Sequence, residues 1–588
     1  MDIFDMIEWP TAGDATAMPV TCPNCGNGDS KQTILRMPWP GASTGGGQAS
    51  LLRCPACTCG FVHPAETADY GAEPTGGESA LAFYLQQGAG LWGIASNLSD
   101  LRRPAGTRLL EIGCGFGFGL DFARRALGWT VLGLDPSPFA AAGRLQLGLP
   151  IESRYLLADD PDLGDRFDVV MASEVIEHVA SPPAVVRALR TAMRNAGTLL
   201  LTTPDVAAVE PATSPGVLVP LLSVGYHLVL QSAASLTGLL RDAGFVEVDV
   251  RRAGGGQLTA RCRNGPATRE PGAAVTDLAP REQYRRYLHD AAQTVDRDGD
   301  LWFGLTARAY REAVNAADSA AADIEWDAFS AACRRRFGFD PEAAAMANSD
   351  TAEQSREKLV VREPLCLGPV LLFRAFHRLH GGEPRTAVEG LLAHAVDASN
   401  RLRQALQDIG SDDADAEDLG WVAAAEALLC AAERGARDVP ERFALLGPSP
   451  NDALVRRDGH SLRTEHYQRR IFVSLVNAAR FEEAERLAHV VAATEARAAL
   501  PGVLLDDDEL DVLFCAAARE LQWPKGTAGR ALDLLGQLRA ACEAARAAGR
   551  LGSAATLPEP ARDTEILALE ILGRSGEADA LRQKQARK

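Results

Sequence analysis

Residues 108–137 read RLLEIGCGFGFGLDFARRALGWTVLGLDPS. An apolar run closes on Glu111 and Ile112, glycines follow at 113, 115, 117 and 119, a helical pattern begins, and a second apolar run ends at Asp135. A strand that turns through residues without Cβ atoms and enters a helix predicts a βαβ unit whose backbone comes close to a ligand. Two phosphate-binding readings fail on spacing. A P-loop ends GK[ST], whereas Gly119 is followed by Leu120 and Asp121. A G-x-G-x-x-G fingerprint started at Gly113, Gly115 or Gly117 would end on Phe118, Leu120 or Phe122. What fits is E-x-G-x-G-x-G at a strand end, with an aspartate eighteen residues after Gly117.

The surrounding pattern extends the unit. RLLEIG, TVLGLD, FDVVMAS, GTLLLTTP and FVEVDVRR read as strands separated by helical segments between about residues 105 and 265. That alternation predicts an α/β, doubly wound domain over 78–265, with a parallel sheet covered on both faces. From about residue 275 to 588 strand patterns nearly vanish, leaving an all-α region of helical hairpins, in one or two subdomains. RAYREAVNAA (308–317) and RIFVSLVNAA (470–479) echo each other there, and the second continues RFEEAERLA, like a tetratricopeptide-type hairpin. DDADAED (412–418) reads as a solvated acidic loop.

Between an N-terminal tail (1–19) and the α/β domain, residues 20–66 carry TCPNCG and RCPACTCGFVHP. Two CxxC turns brought together supply the four sulfurs that tetrahedral zinc prefers, and four thiolates leave no open position for catalysis. The expected ligands are Cys22, Cys25, Cys54 and Cys57, with Cys59 as a spare or a substitute in the second knuckle. Five of the twelve cysteines cluster here, which suits a reducing compartment better than a disulfide framework. No apolar run is long enough to span a membrane, and the acidic start MDIFDMIEWP lacks a basic n-region, so the expectation is a cytoplasmic protein. A net charge of −18 opposes general nucleic-acid binding.

Glu111, the glycines and Asp135 together resemble motifs I and II of class I S-adenosylmethionine-dependent methyltransferases. The resemblance covers about residues 80–265. It implies that Glu111 contacts the methionine end of the cofactor directly or through water and that Gly113, Gly115 and Gly117 approach its methionine portion and ribose, with Cys114 in the same stretch as a small packing residue. It also implies that Asp135 accepts hydrogen bonds from the ribose hydroxyls, that Ser137 follows in the same site, and that Asp159 or Asp160 meets the adenine amino group. EVIEHV places Glu174, Glu177 and His178 just past a strand end, on the ligand side of such a sheet. His227 lies in GYHLVLQSAASL, similar to a segment that precedes the final helix in relatives, although Tyr226 precedes the histidine and Gln231 replaces an aromatic residue.

Methyl transfer needs a positioned acceptor and a base within reach of it. The resemblance to zinc-ribbon sugar methyltransferases makes His227 the expected base, with His178 and Glu174 as further catalytic candidates. Glu174, Glu177, His178 and His227 also resemble the magnesium-binding set of small-RNA 2′-O-methyltransferases; alternatively Glu177 and His178 only begin a helix. The expected acceptor is an oxygen, or less favourably a carbon, of a carbohydrate, sugar nucleotide or polysaccharide. Alternatives are a quinone- or polyketide-type small molecule, an RNA 3′ end with magnesium, or a scaffold with a vestigial methyltransferase core. The helical half would recruit a protein partner or the polymer.

Overall fold

A computed structural model of the chain describes residues 6–11, 18–39, 47–64, 68–72, 77–88, 90–158, 160, 162–265, 278–343, 356–409, 411–450, 452, 463–500, 503–548 and 559–586. It divides into two compact units, one of residues 1–383 with 394–420 and one of residues 384–393 with 421–588.

In the first unit the described residues form two sheets. The smaller is antiparallel and begins with β1 (Met18–Pro19), β2 (Ser30–Pro38), β3 (Gln48–Arg53) and β4 (Gly60–His63). The larger contains β5 (Arg108–Ile112), β6 (Thr130–Leu134), β7 (Ile151–Glu152), β8 (Phe167–Ser173) and β9 (Met193–Pro204). β10 (Val229–Leu230) leaves this succession and pairs with β4, so a strand from the α/β region completes the small sheet. β11 (Glu247–Ala253) and β12 (Gln257–Arg263) return to the large sheet, whose order is β11-β12-β9-β8-β5-β6-β7.

Strands β5 to β9 are parallel, as their apolar runs predict; β8 is buried along almost its whole length, as a strand covered on both faces must be. The sheet is mixed, however. β12, absent from the strand pattern read in the sequence, runs antiparallel to both β9 and β11. Gly254–Gly256 joins β11 to β12 with Gly255 at φ +72°, and a tight connection of this kind yields an antiparallel pair without a crossover helix.

Helices α1 (Gly77–Gln87), α2 (Leu91–Ser99), α3 (Phe118–Leu127), α4 (Pro138–Leu147), α5 (Pro182–Ala192), α6 (Pro215–Leu222) and α7 (Ala233–Asp242) accompany the sheets. Leu110, Val170, Leu199 and Leu201 pack with Val186 and Leu189 of α5 and Leu236 and Leu240 of α7 in one core. Each such fully buried aliphatic side chain contributes roughly 1.5–3 kcal/mol. Further helices, among them Pro280–Ala292 and Asp300–Asn315, belong to this unit: the Tyr287 hydroxyl donates to Asp121 of α3 at 3.1 Å, and Gln86 of α1 donates to Asp300 at 2.8 Å.

The second unit is helical throughout its described residues. Helices such as Asp507–Gln522 and Ala528–Ala547 pack as neighbours, with Val512, Leu513, Leu534 and Leu535 buried. Arginine–glutamate pairs brace helices that are next but one in the chain, including Arg519–Glu485 at 2.6 Å and Arg530–Glu495 at 2.5 Å.

Candidate active site

β5 stands between β6 and β8, so the chain leaves it in one direction and returns on the other side. A crevice opens at such a switch point, outside the carboxyl ends of the strands. The glycine bend occupies it, with Gly113, Gly115 and Gly117 at φ +67°, +50° and +89°. A Cβ on Gly115 would lie 2.3 Å from the Tyr84 hydroxyl, and one on Gly113 would lie 2.6 Å from Val175. Both positions therefore demand glycine for conformation and for space.

The bend opens into a cavity of about 870 Å³ lined by Gly113, Gly115, Asp135, Ser137, Glu174 and His178, with Tyr70, Tyr84, Phe139, Arg154, Tyr155 and Tyr226 among its other walls. Asp135 accepts from the backbone N–H of Gly115 and of Ser137, each at 2.7 Å. These bonds hold its carboxylate on the cavity wall and join the bend to the end of β6. Ser137 caps α4 by accepting from the Ala140 N–H at 3.3 Å.

Three residues of the expected cofactor stretch are not on the cavity wall itself. Gly117 packs toward Leu149 and Ile151, and Cys114 is buried toward Gly133; neither lines the cavity. Glu111 lies behind the bend, its carboxylate against Gly119, with Oε2 buried and unpartnered. Burial, then the nearby Asp135 charge, pushes its pKa up to about 8. Of the adenine candidates, Asp159 lies outside the described residues. Asp160 is ion-paired to Arg154 and accepts from the Asp162 N–H at 3.2 Å; Arg154, with Tyr155 and Leu156, forms the wall there in its place.

The opposite end holds EVIEH. Glu174 adopts φ +54°, a strained conformation for a residue with a Cβ, at the exit of β8. It accepts from the Thr202 hydroxyl at 2.8 Å, and Glu177 accepts from the Thr203 hydroxyl at 2.9 Å. Burial raises both carboxyl pKa values, that of Glu177 well above the ordinary range with the Glu174 charge adding to it. Glu177 Oε1 is buried without a hydrogen-bond partner and lies 3.9 Å from His178 Nε2.

His178 faces the cavity, its Nδ1 2.5 Å from the Tyr70 hydroxyl, and burial lowers its pKa to about 4. His227, the expected base, is placed behind it. Its Nδ1 is 2.8 Å from the Leu221 carbonyl, its ring packs edge-on to His178 at 4.6 Å, and it does not line the cavity. Burial, with His178 beside it, lowers its pKa to about 3. Glu177, His178 and His227 each bring one ligand atom to within 4.8 Å of the others, a spacing that fits a divalent cation.

The knuckles come together as their spacing predicts. The sulfurs of Cys22, Cys25, Cys54 and Cys57 all lie within 4.8 Å of one another. The Cys22–Cys57 and Cys25–Cys54 separations are both 3.7 Å, against the tetrahedral edge of about 3.8 Å implied by zinc–sulfur bonds of ~2.3 Å. Cys59 is buried against this set, 3.5 Å from Cys22 and 3.4 Å from Cys57. The donor set fits a structural zinc.

The strand order, the bend at the switch point and the acid ending the next strand define a Rossmann-like class I methyltransferase domain. Residues 92–250 match the family described as a methyltransferase domain. Among curated proteins, the chain is 41% identical over 106 residues to a ubiquinone biosynthesis O-methyltransferase of Methylobacterium nodulans, covering 17% of this chain and 42% of that protein. It is 41% identical over 112 residues to one of Cereibacter sphaeroides, covering 18% and 45%. The matches thus span less than half the length of these relatives. Among solved structures, an S-adenosylmethionine-dependent methyltransferase from Thermotoga maritima aligns at 20% identity and a TM-score of 0.25, covering 32% of this chain and 94% of that one. One from Mesorhizobium loti aligns at 20% identity and a TM-score of 0.25, covering 30% and 100%.

Tyr70, Tyr84 and Arg154 had no sequence signal. They lie outside the motifs and reach the cavity only through the packing of distant segments. Tyr226 stood out only as a departure from the pattern before His227.

Proposed function

We propose that the first unit is an S-adenosylmethionine-dependent O-methyltransferase acting on an aromatic, hydroxyl-bearing small molecule. The observation that carries this reading is the single cavity running from the glycine bend to EVIEH, with tyrosines and Phe139 on its walls. Its volume accommodates a nucleoside cofactor and a second molecule together, and its aromatic walls suit a flat apolar acceptor better than a heavily hydroxylated sugar. The names of the curated relatives agree with the small-molecule alternative rather than with the carbohydrate acceptor expected from the sequence.

Bound S-adenosylmethionine would supply a methyl group already activated by its sulfonium. Asp135 would hold the ribose and the bend the methionine portion, leaving the acceptor between Tyr70, Tyr226 and His178. The protein's task is then alignment, exclusion of water and removal of one proton. His178 would take the acceptor hydroxyl's proton, since its imidazole faces the cavity and burial keeps it neutral. His227 would hold the His178 ring in place from behind.

The test has two parts. Calorimetric titration should show binding of S-adenosylhomocysteine, and radiolabelled methyl should pass to catechol-type acceptors in preference to sugar nucleotides. His178→Ala should lower kcat by about 10²-fold or more with S-adenosylhomocysteine affinity unchanged. Absence of S-adenosylhomocysteine binding would favour the scaffold alternative, and transfer to sugars alone would restore the carbohydrate reading.

A second reading of the acceptor end is favoured by the unpartnered Glu177 Oε1. Glu177, His178 and His227, with Glu174 beside them, would hold a divalent cation that lowers the pKa of a coordinated acceptor hydroxyl. Activity abolished by chelation and restored by magnesium or manganese, with S-adenosylhomocysteine binding intact throughout, would select it over the imidazole base.

A further inference from the structure

The departure at position 231 has a counterpart in the cysteine knuckle. Gln231 is fully buried and donates through Nε2 to Asn24 Oδ1 at 3.0 Å, while its Oε1 accepts from the Ser235 hydroxyl at 2.8 Å. Asn24 lies between Cys22 and Cys25, and its Nδ2 is 3.7 Å from Cys57 Sγ. A continuous polar chain therefore runs from a knuckle sulfur through Asn24 and Gln231 to the first turn of α7. An aromatic side chain at 231 could not make both bonds.

Backbone contacts follow the same route. β10 pairs with β4, placing Val229 opposite Phe61 and Leu230 opposite Gly60. Val62 N–H donates to Leu228 O at 2.9 Å, and Leu228 N–H donates to Glu177 O at 2.7 Å. Thr58 of the second knuckle also bonds Ser232, the cap of α7, at 2.7 Å between hydroxyl oxygens. The segment from His227 to Ser232 is thus held by the knuckles on one side, and on the other it holds the turn that presents Glu177 and His178.

We infer that the knuckle module is a positioning device for the acceptor end of the site, with Asn24 and Gln231 as positioning residues that transmit the metal-organised fold of the knuckle to Glu177 and His178. This rests on the methyltransferase reading above and on zinc filling the four-sulfur set. Outer contacts to a metal's ligands characteristically change affinity or activity when removed, because they set ligand orientation. Here the orientation set by the metal is used at a second site in the same unit. The cofactor end stands apart from this chain, since Gly113 N–H donates to Leu134 of β6, Gly115 N–H to Asp135 and Asp135 N–H to Glu152 of β7, all within the large sheet's end of the site.

The experiment uses the full chain in three forms: zinc-loaded, stripped by a chelator, and zinc-loaded Gln231→Leu. Zinc content is measured by mass spectrometry, S-adenosylhomocysteine affinity by calorimetry, methyl transfer by steady-state kinetics and amide exchange by mass spectrometry. In the stripped and Gln231→Leu proteins, exchange is expected to rise about tenfold at residues 176–178 and 227–231 and to stay unchanged at 113–117. kcat is expected to fall about tenfold or more, while S-adenosylhomocysteine affinity holds within about threefold. Gln231→Leu should retain its zinc, so it keeps the test decisive if the stripped protein unfolds. Unchanged exchange at 227–231 in Gln231→Leu, a uniform rise across the unit, or wild-type kcat would overturn the inference. Absence of S-adenosylhomocysteine binding to the zinc-loaded protein would overturn the methyltransferase reading instead, and the exchange pattern would still report on the coupling.

Discussion

Gly115 carries two constraints at once: φ +50°, and a Cβ position 2.3 Å from the Tyr84 hydroxyl. Gly115→Ala is expected to displace the bend or Tyr84 and to weaken S-adenosylhomocysteine binding by at least about tenfold, read by calorimetry. Wild-type affinity would show that the bend does not touch the cofactor. Glu111 makes a different prediction. Its pKa rises from 4.5 unfolded to about 8 in the folded chain. Between those values the native state keeps a proton that the unfolded state has released, so stability should fall as pH rises through this window and level off above it. Urea unfolding at pH 5, 7 and 9 should show that slope, and Glu111→Gln should flatten it. An unchanged slope in the variant would assign the pH dependence to other groups.

At the scale of elements, the echo between 308–317 and 470–479 has a concrete meaning. One copy ends the helix Asp300–Asn315 and the other ends Arg463–Asn477. Each final alanine takes a positive φ, +52° at Ala317 and +55° at Ala479. V-N-A-A is therefore a shared helix stop, with alanine where glycine is usual. The two copies fall in different compact units, so the echo does not by itself mark one repeating array. Ala317→Gly and Ala479→Gly should each stabilise their own unit by about 0.5–1 kcal/mol, seen as a higher denaturant midpoint. A lower midpoint would mean that the methyl group contributes packing that outweighs the strain. A second element-level contact is Asp121 of α3, fully buried beneath Arg124, Arg125 and the Tyr287 hydroxyl. Asp121→Ala should strand that hydroxyl and destabilise the first unit by about 1–3 kcal/mol in chemical denaturation.

For the molecule as a whole, the family match occupies residues 92–250 of 588, and the matches to the two curated relatives cover 17% and 18% of the chain. Among the described residues no helix is long and apolar enough to cross a membrane. The net charge of −18 makes the long-range field repulsive to polyanions. Fluorescence anisotropy with single-stranded RNA should show no saturable binding at 150 mM salt. Saturable, salt-dependent, magnesium-requiring binding would revive the RNA acceptor considered from the sequence.

What the sequence determined by itself was local. Positive φ at Gly113, Gly115 and Gly117, the thiol spacing within each knuckle, and the buried runs of β5 and β8 are constraints between near neighbours, so they are legible without partners. The strand β10 was not legible: Val229 and Leu230 are two apolar residues whose assignment to the small sheet exists only because β4 lies beside them. Nor could spacing show that His178 would face the cavity while His227 stood behind it, that Asp160 would be taken up by Arg154, or that Tyr84 would meet the bend. Burial, and with it the direction in which Glu111, Glu177, His178 and His227 are shifted, depends on which distant segments cover a residue. The tertiary structure alone decides that.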